Sequence, residues 1–263
     1  MRKLLALSLT LAVLIAIVGC GDEVALVAPG NFTISAGVNE LDVVLDWDEV
    51  TEEIDGYIIY FNDVAADTVT TAGYTHLDPQ VSGVYYVTAY SGEDESDPSA
   101  TATTVPEVVD DITVYEINGS GSSGFGWDRT DGSATAYSMA DATNAAFIDF
   151  YFSDWAAGFA GDYSFISPDL VETDPGVTWP MSGTWNSSAF TDVLPEQFAD
   201  VIVVPETGYF TSMEVTATNA TYAVYTDDGY YGMVEVKSMN TGDGTLSLRV
   251  AFQMVPGLRI LEH

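Results

Sequence analysis

The chain reads as all-β: a β-sandwich followed by a second, mostly antiparallel β-domain. Three features carry that reading. Leu41, Val43, Leu45 and Trp47 alternate with Asp42, Asp46 and Asp48, the period-two pattern of a half-buried strand. Short β-branched and aromatic runs recur at near-even spacing between Gly, Pro and Asp turns. Near the C-terminus, Thr226-Asp227-Asp228-Gly229 and Asn240-Thr241-Gly242-Asp243-Gly244 separate three strand-like runs, as in a meander.

Met1-Arg2-Lys3 precedes an apolar run, Leu4 to Val18, with small residues after it. A cationic head and an apolar core of this length make a secretory signal over 1–19. The run is short for a bilayer span, which needs roughly 20 residues. Ile17-Val18-Gly19-Cys20 resembles the lipobox of bacterial lipoprotein signals. That resemblance implies a diacylglycerol on Cys20, the single cysteine, and a mature chain tethered to a membrane by its acyl chains. Gly21 lacks the aspartate that retains some lipoproteins at the inner membrane, which points to the outer membrane.

After residue 19 the basic residues are Arg129, Lys237, Arg249 and Arg259, against 40 acids. Such a field repels nucleic acid, whose binding needs cations on phosphates. It fits two readings, cation binding and solvation of a surface protein by self-repulsion. Aromatic and β-branched residues are too plentiful for a disordered chain.

Residues 20–27 form a tether and 28–105 the first domain. Strands are expected at 41–47, Tyr57 to Phe61 closed by Asn62-Asp63, Asp67 to Ala72, Thr75 to Leu77, Val84 to Tyr90 and Ser99 to Val105. The order Trp47, Gly56-Tyr57-Ile58-Ile59-Tyr60, Leu77-Asp78-Pro79, Tyr85-Tyr86-Val87-Thr88-Ala89-Tyr90 and Glu95-Ser96-Asp97-Pro98-Ser99 resembles a fibronectin type III domain. The resemblance implies that Trp47 fills the core and that Val87 and Ala89 point inward. It also implies that Leu77 and Tyr85 make a corner in which the hydroxyl satisfies backbone groups. A module of this family implies a spacer or binding unit.

Pro106 followed by acids reads as a linker over 106–111, and 112–263 as the second domain. Gly121 to Trp127 reads as a loop, without the Gly-Lys-Ser/Thr of a phosphate cradle. Ala145 to Phe152 reads as a buried strand whose Asp149 points outward or meets a partner. Arg129 reads as paired with a neighbouring acid. Tyr163 to Ser167 is a short strand stopped by Pro168, and 189–199 is the one helix candidate, interrupted by Pro195. Tyr222-Ala223-Val224-Tyr225-Thr226-Asp227-Asp228-Gly229-Tyr230-Tyr231-Gly232-Met233-Val234-Glu235-Val236 resembles the C-terminal hairpin of HmuY-like surface lipoproteins of Gram-negative bacteria. Some of those capture haem through two histidines. Here the histidines are His76 and the terminal His263, which departs from that pattern; Met213, Met233, Met239 and Met254 are the other conceivable ligands.

Catalytic chemistry is thinly signalled. A nucleophile needs a base beside it, commonly histidine, and a zinc site needs clustered His and Cys. Calcium suits the oxygen-rich composition, with Asp128 and Asp131 in one loop and Asp243 in another as candidate ligands; ordinary turns explain the same residues. Trp179 and Trp185 are candidates for stacking on a glycan or anchoring an extracellular protein, or for holding down a long loop. The expectation is a non-catalytic, lipid-anchored cell-envelope protein with a spacer and a binding domain. A polysaccharide-processing enzyme or its accessory is the alternative, and haem capture a third.

Overall fold

The computed structural model describes residues 25–154, 163–174, 176–177 and 183–263. Its first part contains β1 (Thr33–Ala36), β2 (Val43–Asp46), β3 (Gly56–Phe61), β4 (Val64–Val69), β5 (Tyr74–His76), β6 (Val84–Ser91), β7 (Asp94–Glu95) and β8 (Ala102–Thr103). Sheet β1-β2-β5 and sheet β4-β3-β6-β7, with β8 on β6, form an antiparallel sandwich. The alternation at 43–48 does what its period requires: Val43, Leu45 and Trp47 are buried and Asp46 and Asp48 exposed. Trp47 meets the ring of Tyr57 edge-on at 5.3 Å. Val87 and Ala89 of β6 point into the same core.

Several details differ from the sequence reading. Asn62 and Asp63 both take positive φ (50° and 61°), a tight turn that starts β4 at Val64 rather than at Asp67. Leu77 is 70% exposed. The chain turns outward after β5 because Asp78 adopts φ 41° and its N–H is held by the Asp42 carboxylate at 2.9 Å. His76 takes the corner instead. Its Nδ1 is hydrogen-bonded to the Tyr85 hydroxyl at 2.9 Å, so a side chain and not the backbone satisfies that tyrosine.

The second sandwich contains β9 (Glu107–Tyr115), β10 (Gly124–Trp127), β11 (Ala134–Tyr137), β12 (Phe150–Ser153), β13 (Ser164–Ile166), β14 (Ser188–Phe190), β15 (Ser212–Glu214), β16 (Ala220–Thr226), β17 (Tyr231–Asn240) and β18 (Thr245–Phe252). Sheet β11-β10-β12-β13-β15 packs on sheet β14-β16-β17-β18-β9, and every strand pair is antiparallel. An aromatic core lies between them, with Phe125, Phe150, Phe165, Phe190, Tyr222 and Phe252 fully buried. The expected meander is β16-β17-β18, and its turns place Gly229 (φ 87°) and Gly244 (φ 60°) where a left-handed backbone is needed.

Residues 107–111, read as linker, begin β9. The register shifts opposite Leu248 and Val250, and Asp111 takes φ 61° in this irregular stretch. Lys237 of β17 lies 2.6 Å from both Asp110 and Asp111, which lets the acids sit in a strand. The expected loop 121–127 is half strand: β10 is buried throughout. The expected strand over 145–152 opens instead with a 3-10 turn, Ala142–Phe147. The expected helix 189–199 is absent; β14 covers its start and a 3-10 turn, Phe198–Asp200, its end.

After β18 the chain leaves its own sandwich. Val255, Leu258 and Ile260 join the core of the first one, beside Leu45, Ile59 and Val87. Polar clasps secure this tail. Buried Gln253 donates from Nε2 to the carbonyls of Thr104 (2.9 Å) and Ile260 (2.6 Å). The Arg259 N–H donates to the Glu40 carbonyl (2.9 Å), and its guanidinium pairs with the Glu40 carboxylate (3.1 Å). The Ser82 hydroxyl donates to the Glu262 carboxylate at 2.7 Å. His263, the last residue, lies edge-on to Phe198 at 4.7 Å. Among the described residues no helix is long and apolar enough to cross a membrane.

Candidate functional site

The second sandwich carries a cleft of about 390 Å³ built around Arg129. Arg129 sits in the β10–β11 turn, Asp149 just ahead of β12 and Asp228 in the β16–β17 turn. The guanidinium donates to Asp149 through two nitrogens (2.7 and 2.8 Å) and to Asp228 through two (2.8 and 2.9 Å). Asp149 is buried and also accepts the Trp127 N–H at 2.9 Å. Burial pushes its carboxyl above the ordinary carboxylate range, against the opposing pull of Arg129 and that N–H. The guanidinium lies over the rings of Phe252 (5.2 Å) and Tyr230 (5.4 Å), so aromatic faces and carboxylates together hold it.

The walls come from other elements. Phe147, at the end of the 3-10 turn, is 58% exposed and stacks on Tyr137 of β11 at 6.1 Å with 22° between ring planes. Asn186 donates from Nδ2 to the carbonyls of Ala146 (3.1 Å) and Ile148 (3.2 Å), which ties the loop before β14 to the turn carrying Phe147. Asp227 lies on the same wall and accepts one long bond, from the Ser187 N–H at 3.3 Å. A second cleft, of about 340 Å³, lies at the Gly119-Ser120-Gly121 loop and is lined by small polar residues and Met139.

The predicted site residues fall out as follows. Asp128 and Asp131 share the β10–β11 turn, but each carboxylate accepts a backbone N–H two residues on, from Thr130 (2.7 Å) and Ser133 (2.9 Å). Asp243 belongs to the β17–β18 turn and accepts from Asn240 at 2.6 Å. The three calcium candidates thus close two separate turns, and no metal-holding group of three or more His, Cys, Asp or Glu occurs among the described residues. Trp185 is half-buried and packs against the cluster of Ile117, Met139, Ile148 and Tyr151. Trp179 and Cys20 lie outside the described residues. Met233 is buried, and Met213, Met239 and Met254 pack against the aromatic core. Sequence reasoning missed Phe147 and Tyr137. The available signal was Asp141, which caps the 3-10 turn by accepting the Thr143 N–H at 3.0 Å and so breaks the apparent strand.

Every basic residue after Lys3 is ion-paired. Arg249 meets Asp110 (3.2 Å) and Glu235 (3.4 Å), and the pairs of Arg129, Lys237 and Arg259 are given above. Lys237 holds Asp110 below the usual carboxylate range.

No family model matches the chain, and no curated protein matches it. Among solved structures, a DUF4466 family protein from Parabacteroides merdae is 13% identical, with a TM-score of 0.45, over 88% of this chain and 95% of that one. A fibronectin type III structure, FN3tt mut, is 18% identical with a TM-score of 0.24 and covers 29% of this chain and 88% of its own. The FN1-FN3 domains of chicken CNTN1 are 14% identical with a TM-score of 0.26, over 88% of this chain and 64% of that one.

Proposed function

We propose that this chain is a non-catalytic, lipid-anchored cell-envelope protein whose first sandwich is a spacer and whose second binds a ligand outside the cell or in the periplasm. The observation that carries the binding role is the cleft beside Arg129, lined by the Phe147–Tyr137 ring pair and by polar side chains. Ligand pockets combine apolar walls with a few placed polar groups in this way. The anchoring role rests on Ile17-Val18-Gly19-Cys20 and on the signal-like run ahead of it. Outer-membrane residence follows from Gly21 on the same reading.

Two measurements test this. Mass spectrometry of the native protein is expected to find a diacylglyceryl group on Cys20 and nothing N-terminal to it; an unmodified thiol overturns the anchor. A panel of glycans and envelope peptides is screened against the full mature protein and against Phe147→Ala. Binding that the variant loses supports the second sandwich as the binding module. Turnover of a polysaccharide, lost when one acid pair is removed, replaces it with the enzyme reading.

A further inference from the structure

We infer that the Arg129 cleft takes an organic cation, a guanidinium or alkylammonium group on an apolar stem. This rests on the second sandwich being the binding module and adds the class of its ligand.

Three observations converge on it. The cleft lining includes Asp128, Asp227 and Asp228, while its one cation, Arg129, is already held between Asp149 and Asp228 at 2.7–2.9 Å. Asp227 is exposed and lines the cleft, and the bond its carboxylate accepts from the Ser187 N–H is long, at 3.3 Å. A cleft with such a balance concentrates cations and repels carboxylates and phosphates. The other described basic residues, Lys237, Arg249 and Arg259, are each paired with a carboxylate.

The aromatic wall is the second observation. Phe147 is 58% exposed and stacks at 6.1 Å on half-buried Tyr137. Exposed ring faces attract cations, and they also shelter a methylene stem. Aromatic faces and carboxylates together favour a charged group on a short chain over a calcium or magnesium ion, which wants oxygen ligands alone.

The third is an internal example. Arg129 itself is held by two carboxylates and lies over two aromatic rings, at 5.2 and 5.4 Å. The same kinds of group line the cleft beside it, Asp227 as the carboxylate and Phe147 and Tyr137 as the rings. A volume of about 390 Å³ suits a group of this size.

Calorimetric titration of the full mature protein with agmatine and with spermidine tests the inference, with maltotriose as neutral probe. The expected result is binding of the cations, weakened by added salt, and reduced at least tenfold by Phe147→Ala and by Asp227→Asn. Both residues are exposed, so matching melting temperatures will show that the variants fold. Glu53→Gln removes one equally exposed charge from the first sandwich and is expected to leave the affinity unchanged. An equal loss in Glu53→Gln would mean diffuse attraction to an acidic surface and overturn the site. Maltotriose binding that Phe147→Ala abolishes, without cation binding, overturns the ligand class and leaves the binding module standing. A cleft that takes none of the three probes overturns the cation class, and the binding module then falls only if the wider panel of glycans and peptides also fails.

Discussion

Asp149 is the residue on which the cleft depends. It is buried, shares both oxygens with Arg129 and closes the Trp127 N–H, so it fixes β10, the 3-10 turn and the guanidinium together. Asp149→Asn leaves Arg129 with only the partly exposed Asp228, and should cost about 3 kcal/mol, the lower end for breaking a buried pair. Asp228→Asn, at a position 43% exposed, should cost on the order of 1 kcal/mol or less. Urea denaturation of both variants checks the ordering, and equal losses would contradict it. His76 offers a pH test. Burial pushes it below the ordinary histidine value, so the unfolded chain takes up the proton first. Stability present above about pH 6.5 should therefore fall as pH drops through that value toward the folded one. Thermal melts between pH 5 and 8 should show this slope, and His76→Gln should flatten it. That Arg129 would find an acid was legible in its sequence surroundings. Its partners, 20 and 99 residues away, were not, because strand pairing sets those distances.

Among the elements, β10 shows how little a local pattern says about a central strand. Gly-Ser-Ser-Gly-Phe-Gly-Trp has the composition of a loop, yet Phe125 and Trp127 face the core and Gly126 is required by what lies opposite. A Cβ at Gly126 would collide with the Phe147 carbonyl. Gly126→Ala should cost about 1–3 kcal/mol, the range for overpacking, and displace Phe147. Denaturant melts read the stability, and the same variant should weaken whatever binds the cleft; unchanged stability would show that the 3-10 turn yields freely. The acids of β9 make the converse case. Asp110 and Asp111 are poor strand residues in isolation, and ion pairs with Lys237 of β17 and Arg249 of β18 make them acceptable there. The helix candidate at 189–199 failed because strand β16 offered Phe190 and its neighbours a ladder that outcompetes a helix broken by Pro195.

At the scale of the whole molecule, the C-terminal tail makes two sandwiches interdependent. Leu258 and Ile260 are fully buried in the core of the first one. Leu258→Ala or Ile260→Ala should each cost about 2–5 kcal/mol, as for any emptied core position. The intact chain should unfold in one cooperative transition, and removing residues 254–263 should split it into two by calorimetry. A single unchanged transition in the truncated chain would show that the tail carries no coupling. The clasp is also pH-sensitive. The Ser82 hydroxyl and N–H hold Glu262 below the ordinary glutamate value. Its contribution is full above that value, about 4.3, and is lost as pH falls through the lower folded one, because the unfolded chain protonates first. Acid should therefore release the tail, detectable as faster proteolysis near the C-terminus, and Ser82→Ala should remove the effect.

The sequence alone determined the strand content, the inward face of 43–47 and the C-terminal meander, because period-two alternation and tight-turn residues act within a few positions of one another, while the inward residues of β6 were implied by the resemblance. Tertiary structure decided what depends on long-range pairing: that acids at 110–111 sit in a strand, that His76 replaces Leu77 at the corner, that half-buried Trp185 packs beside Ile148 while Phe147 is open. It also decided that residues 255–260 complete a core begun more than two hundred positions earlier. Burial is a property of neighbours, and a linear pattern names no neighbour beyond its own strand.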